Sequence, residues 1–219
     1  MVAQQGVFEV LLTHGGFGTW MIFLSALILV VLGSERLLAL FVGLSFNSEA
    51  AVEQIRSAIL EKKYTDAIQV CNSKASAPDL RVVKAALIAA ENGREAMRSS
   101  LGASLLEVSH RCEARLSYIA LLANVATLLG LFGTITGLIK TFAAMANADA
   151  GEKAKLLGLG ISEAMYSTAA GLAVGIAAMV VHTLCTSKSD TIVGQAQDVG
   201  FKVITWIEQA ERKKVLVGA

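Results

Sequence analysis

Two threonines and a glutamate are the residues of this chain best placed to do chemistry. Thr134 and Thr168 lie inside long apolar helical segments, 118–139 and 161–175, and Glu163 stands at the mouth of the second. A hydroxyl inside an apolar span can hand a proton on, because it donates one hydrogen bond while accepting others, but it cannot store the proton's charge near neutral pH. A carboxylate can, yet there is no Asp, Glu or Lys between 119 and 139 or between 164 and 184, which leaves only His182. Ionisable groups inside a membrane usually mark ion relays. Here the titrating group must come from another chain. Thr127, Thr134 and Thr141 recur every seven residues, so they share one helical face, and Thr127 and Thr141 become possible pore-facing residues. Thr134 lies six residues from Lys140, about 9 Å along a helix, and Thr168 lies five from Glu163, about 7.5 Å, which places the two hydroxyls at similar depth. The pattern points to ion passage or tight helix packing, not to a soluble active site.

The elements that hold these residues must be membrane helices. The chain is 54% hydrophobic and 17% charged, with a mean hydropathy of +0.59, too apolar for an ordinary soluble domain of this length. Roughly 20 apolar residues cross a bilayer, and three stretches qualify: about 19–41, 118–139 and 164–185. Glu35 and Arg36 interrupt the first near its inner end, where long side chains can snorkel. No Lys or Arg precedes that span, whereas eleven lie in 36–115, three in 140–155 and five after 187. The positive-inside rule then puts the N-terminus outside, the middle segment inside, a loop of about 142–160 outside and the C-terminus inside. A cleaved signal peptide is disfavoured, because the first 35 residues hold no Lys or Arg to form its basic region. The net charge of +1 identifies no partner, and nothing points to nucleic acid. Cys71, Cys112 and Cys185 show no metal-binding spacing and read as reduced packing residues.

Between the spans the pattern is helical. Asn47-Ser48-Glu49 resembles a helix start, and 49–71 carries an apolar stripe at Val52, Ile55, Ile59, Ala67 and Ile68. A turn at 72–78 holds the only proline, a helix begins at Asp79 and runs through Ala90, and Asn92-Gly93 is a weak point. One continuous helix is expected from Arg94 to about Met145, and another from Ile161 to Arg212. Each would have about 50 residues and reach roughly 75 Å, far beyond a membrane's thickness. The expected fold is therefore all-α: a polytopic membrane protein with three transmembrane helices, the second and third extended into a cytoplasmic helical bundle. Its expected organisation is an outer N-terminus and first span over 1–41, a cytoplasmic helical segment over 42–117, the second and third spans with the ion-pathway motif over 118–187, and a cytoplasmic C-terminal helix over 188–219.

Gly130-Leu-Phe-Gly-Thr134-Ile-Thr-Gly137, followed by Ile161-Ser-Glu163-Ala-Met-Tyr-Ser-Thr168-Ala-Ala-Gly171, resembles the ExbB/TolQ/MotA proton-channel family. The similarity is specific over about 118–185. The three-span ExbB/TolQ branch fits better than the four-span MotA branch, because one span precedes the cytoplasmic segment. The resemblance implies a homopentamer in the bacterial inner membrane around two copies of an ExbD/TolR-like single-span partner, which carries an intramembrane Asp and works a TonB/TolA-like transducer. It implies that Thr134 and Thr168 line the ion route and that Glu163 matches the family's glutamate at the start of the last span. Sodium-using relatives tend to carry a second hydroxyl after the threonine matching Thr168. Ala169 stands there instead, which favours protons.

Simpler roles compete for several of these residues. Gly133-x-x-x-Gly137 and Gly171-x-x-x-Gly175 are common devices for close helix packing. Thr127 and Thr141 can bond their own backbone, Glu163 can be a favourable charge at a helix start, Lys140 can snorkel to the interface, and His182 can be a packing residue. The basic residues of 81–115 read as a solvated face, with lipid headgroup contact second. The expected function is that of a proton-motive-force-driven energy-transduction subunit, ExbB-like in powering TonB-type transport, with no enzymatic step, cofactor or metal. A TolQ-like role in envelope integrity and cell division, a gliding or motility motor, and a membrane scaffold without conduction are the alternatives. A solute transporter is disfavoured by the absence of an inverted repeat.

Overall fold

The computed structural model describes residues 17–43, 49–73, 77–146 and 148–217, and no strand occurs among them. Helix α1 is Phe17–Leu38, prolonged by a π-helical turn over Ala39–Gly43. Then follow α2 (Glu49–Leu60), α3 (Tyr64–Ser73), α4 (Pro78–Ala89), a 3-10 turn over Ala90–Asn92, α5 (Arg94–Glu113), α6 (Leu116–Ala146) and α7 (Ala150–Val217). Three helices are long and apolar enough to cross a membrane, one in α1, one ending with α6 and one in α7. This is the all-helical, three-span architecture that the hydropathy pattern implies. Residues 1–16 of the expected outer N-terminal segment, Asn47 and Ser48 of the expected helix start, and 74–76 of the expected turn lie outside the described residues.

The described residues fall into two compact units, one made of those within Met1–Glu35 and Arg115–Thr183, the other of those within Arg36–Ala114 and Leu184–Ala219. In the first, α6 and α7 form an antiparallel hairpin and α1 runs parallel to α7, as the pairings Thr19 with Ser167 and Gly33 with Val181 show. Arg115, in the turn before α6, bonds Glu35 of α1. Many large apolar side chains face outward, including Trp20, Phe23, Leu128, Phe132, Ile176 and Met179. An apolar exterior of this extent suits lipid or partner helices, not water.

The second unit has a conventional core. Ile55 and Ile59 of α2, Leu80 and Val83 of α4, Leu101 of α5, and Val203 and Ile207 of α7 are buried. Gly200 lets α7 approach closely: a methyl group there would lie 2.8 Å from Leu101 Cδ1 and 3.1 Å from Val82 Cγ1. Arg56 stacks over Trp206, 5.9 Å from its ring centroid, and Arg94 pairs with Glu208 at 2.5 Å. Arg81 and Arg111 both pair with Glu107 on an exposed face, where such pairs contribute about 0–1 kcal/mol. The three cysteines are buried and unlinked. Burial pushes the Cys71 thiol up to about 11, so it stays protonated at neutral pH, as a packing residue does.

Four boundaries differ from the expected ones. The single helix over 49–71 is two helices, because α2 ends in a Schellman motif: Lys63 N–H donates to Ala58 C=O at 2.8 Å and Lys62 N–H to Ile59 C=O at 3.0 Å. Lys62, at φ +62°, fills the left-handed position that glycine usually takes. The continuous helix from Arg94 breaks at Ala114 (φ −50°, ψ 133°) and Arg115 (φ +64°), dihedrals close to those of a type II turn. Helix α6 runs to Ala146 and α7 starts at Ala150, not Ile161, so most of the expected loop of 142–160 is helical. Helix α4 begins at Pro78, whose fixed φ suits the first helical position, one residue before Asp79. The weak point at Asn92-Gly93 is a real break, with Gly93 at φ +93°.

Candidate functional site

The site is built on the α6–α7 hairpin, and small residues set its register. Gly130 meets Gly171 backbone to backbone: a methyl group on Gly171 would lie 2.7 Å from both Gly130 Cα and Ala126 C=O. One turn away on either side, a methyl group on Gly133 would lie 2.7 Å from Ser167 Cβ, and one on Gly175 would lie 2.6 Å from Thr127 Oγ1. Gly137 faces Ala164 at 3.6 Å, an ordinary contact. At the far end of the hairpin a methyl group on Gly160 would overlap the Thr141 side chain. Without a solvent-driven force between lipid-bathed helices, close packing of this kind is what holds them together.

This register puts Thr134 and Thr168 at one level of the hairpin. Thr168 Oγ1 donates across the helix pair to Gly130 C=O at 3.3 Å, while Thr134 Oγ1 donates to Leu131 C=O of its own helix at 2.6 Å. Both residues are half-buried, as is Glu163 one turn before Ser167. A hydroxyl has a single proton. With that proton engaged on a carbonyl, each threonine offers only oxygen lone pairs to whatever passes, which suits a hydronium ion or a protonated acid that donates to it. The 3.3 Å bond of Thr168 is longer than a normal hydroxyl bond, so this donor is the more easily released of the two.

The other two threonines of the seven-residue series have different surroundings. Thr141 is sealed inside the unit, 8% exposed, with its hydroxyl on Gly137 C=O at 2.8 Å. Thr127 bonds Ala123 C=O at 3.0 Å and rests on Gly175. Thr136, one turn-position away, bonds Phe132 C=O and Gly133 C=O. Sequence reasoning missed three participants: Ser167 and Thr19, which share a buried hydroxyl pair, and Gly160, the counterpart of Thr141. The seven-residue spacing could have pointed to Gly160 only once its segment was read as helix.

Fold and site together define a three-span helical membrane protein whose second and third spans meet through glycines and hydroxyls, with no Asp, Glu or Lys between 119 and 139 or between 164 and 184. Residues 74–198, more than half of the chain, match the MotA/TolQ/ExbB proton channel family, and the chain belongs to that family. It is 27% identical to the "Biopolymer transport protein exbB1" of Vibrio cholerae serotype O1 over 195 residues, covering 88% of this chain and 85% of the relative. It is 26% identical to the "Tol-Pal system protein TolQ" of Pseudomonas aeruginosa over 101 residues, 46% of this chain and 43% of that one. A "Putative biopolymer transport protein ExbB-like 1" of Synechocystis is 43% identical over 65 residues, 29% of this chain and 26% of the relative.

Proposed function

We propose that this chain is the ion-conducting inner-membrane subunit of a proton-driven complex that powers transport across the outer membrane. It acts as a homopentamer around two copies of a single-span, ExbD/TolR-like partner that supplies the titrating carboxylate, and the partner drives a TonB/TolA-like transducer. The N-terminus is periplasmic and the C-terminus cytoplasmic. Thr134, Thr168 and Glu163 form the route on this chain. One observation carries the reading: two hydroxyls at one level of a hairpin, with their protons on backbone carbonyls and their lone pairs available, in stretches, 119–139 and 164–184, that hold no Asp, Glu or Lys. The match to a biopolymer transport protein along 88% of the chain supports this role, and the match to a TolQ protein keeps the TolQ-like role as the alternative.

The test uses the complex purified from its host membranes and placed in vesicles that hold a pH-sensitive dye. An imposed potential should drive proton uptake in sodium-free buffer. Uptake that requires sodium, or cellular activity that follows the sodium gradient and survives an uncoupler, overturns the proposal.

Glu163 gives a second test. Glu163→Gln keeps the size of the side chain and one acceptor oxygen but removes its charge. We expect the complex to assemble while proton uptake falls about tenfold, a change of the size that hydrogen bonds to charged groups produce, whereas Glu163→Asp keeps part of the flux. Full uptake with Gln would assign the route to the threonines and the partner's carboxylate alone.

A further inference from the structure

Helix α1 touches the hairpin at the level of the route. A methyl group on Gly18 would lie 2.8 Å from Gly133 Cα, so the first span comes in against α6 with no room for a side chain. The next residue, Thr19, places Oγ1 3.3 Å from Ser167 Oγ. Both are buried, at 9% and 4% exposure. Ser167 Oγ in turn lies 3.4 Å from Glu163 C=O. Each hydroxyl has one proton, so with Ser167 donating to Glu163 C=O, Thr19 donates to Ser167.

Ser167 precedes Thr168 on α7. Successive helical residues are separated by a fixed rotation of about 100°, so whatever fixes the direction of Ser167 also fixes that of Thr168. Ser167 is held from two sides: Gly133 of α6 packs on its Cβ, and Thr19 of α1 bonds its hydroxyl. Gly171 resting on Gly130 removes slack one turn further along. We propose that Thr19, on the first span, is a positioning residue for the route: its bond to Ser167 sets the rotation of α7 that aims Thr168 at Gly130 C=O and leaves its lone pairs toward the route. Thr19 touches no reacting group itself. The proposal rests on the reading of Thr168 as a route residue.

The test measures dye-reported proton uptake by the vesicle-reconstituted complex, with assembly followed by native mass spectrometry. Thr19→Val removes the hydroxyl and nearly keeps the shape, and it should lower uptake about five- to tenfold, within the range seen for coupled neighbours, in an intact complex. Thr19→Ser restores the oxygen and should recover most of the uptake, a rescue that a packing role for the threonine methyl does not predict. Ser167→Ala breaks the same bond from the other side and should give a similar loss. The double variant should fall no further than either single one. Normal uptake by Thr19→Val, additive losses in the double variant, or loss of assembly in both single variants each overturns the positioning role. Thr168→Val separates the two claims: normal uptake by that variant removes the route reading itself, while its loss beside a fully active Thr19→Val removes only the positioning.

Discussion

Thr168→Val should reduce proton uptake by the reconstituted complex about ten- to hundredfold while leaving the complex assembled. The substitution exchanges a hydroxyl for a methyl group of similar size at a half-buried position, so the backbone contact between Gly171 and Gly130 beside it is not disturbed. What disappears is, on the proposed route, an acceptor for a migrating positive charge, and hydrogen bonds to charged groups contribute about 1.5–3 kcal/mol, which corresponds to that range of rates. Gly130 C=O loses one of its donors but keeps its place in the α6 helical ladder. Thr134→Val should act in the same direction, because Thr134 presents its oxygen at the same level of the hairpin. Serine should retain more uptake than valine at both positions, since it keeps the oxygen and leaves only a small void. Valine variants that conduct normally, or that fail only because nothing assembles, would make both threonines packing residues.

The contrast with Thr141 bears on how far a sequence could lead to this site. The depth of Thr134 and Thr168 follows from counting residues to Lys140 and Glu163, and the hairpin register agrees with it. Thr141 shares a helical face with Thr134, yet it is sealed inside the unit. Its cover is Gly160, in a stretch that reads as the loop of about 142–160 between the second and third spans, with Gly151, Gly158 and Gly160 and three charged residues in its last ten positions. Helix α7 forms through that stretch as the first turns of a helix whose remainder is anchored by packing, and such context overrides weak local propensity. The breaks at Lys62 and Arg115 were hidden for the opposite reason. Both positions have positive φ, where glycine would have signalled a stop, and the basic residues there leave the helical pattern unbroken. The three spans needed only length and hydropathy and were fully legible. The Thr19–Ser167 pair was not, because the parallel register of α1 on α7 depends on Gly18 fitting against Gly133, a contact between helices far apart in sequence.

Two glycine-to-alanine substitutions on this hairpin should shift stability in opposite directions. Replacing helical glycine with alanine removes backbone freedom from the unfolded chain and stabilises by about 0.5–1 kcal/mol where there is room. At Gly137 there is room: the new methyl group would meet Ala164 at 3.6 Å, ordinary van der Waals contact. Gly137→Ala should therefore raise the thermal midpoint of the detergent-solubilised protein slightly. At Gly171 the methyl group would lie 2.7 Å from Gly130 Cα and from Ala126 C=O, and 3.0 Å from Gly130 N. All three atoms belong to the backbone of α6, so no side chain can rotate aside and the helices must separate. Overpacking of this kind costs about 1–3 kcal/mol, which exceeds the entropic gain, and separation also stretches the Thr168 bond to Gly130 C=O. Gly171→Ala should thus lower the midpoint and reduce proton uptake together, whereas Gly137→Ala should leave uptake intact. An unchanged or raised midpoint for Gly171→Ala would show that α6 and α7 do not meet backbone to backbone, and the shared level of Thr134 and Thr168 would lose its structural basis.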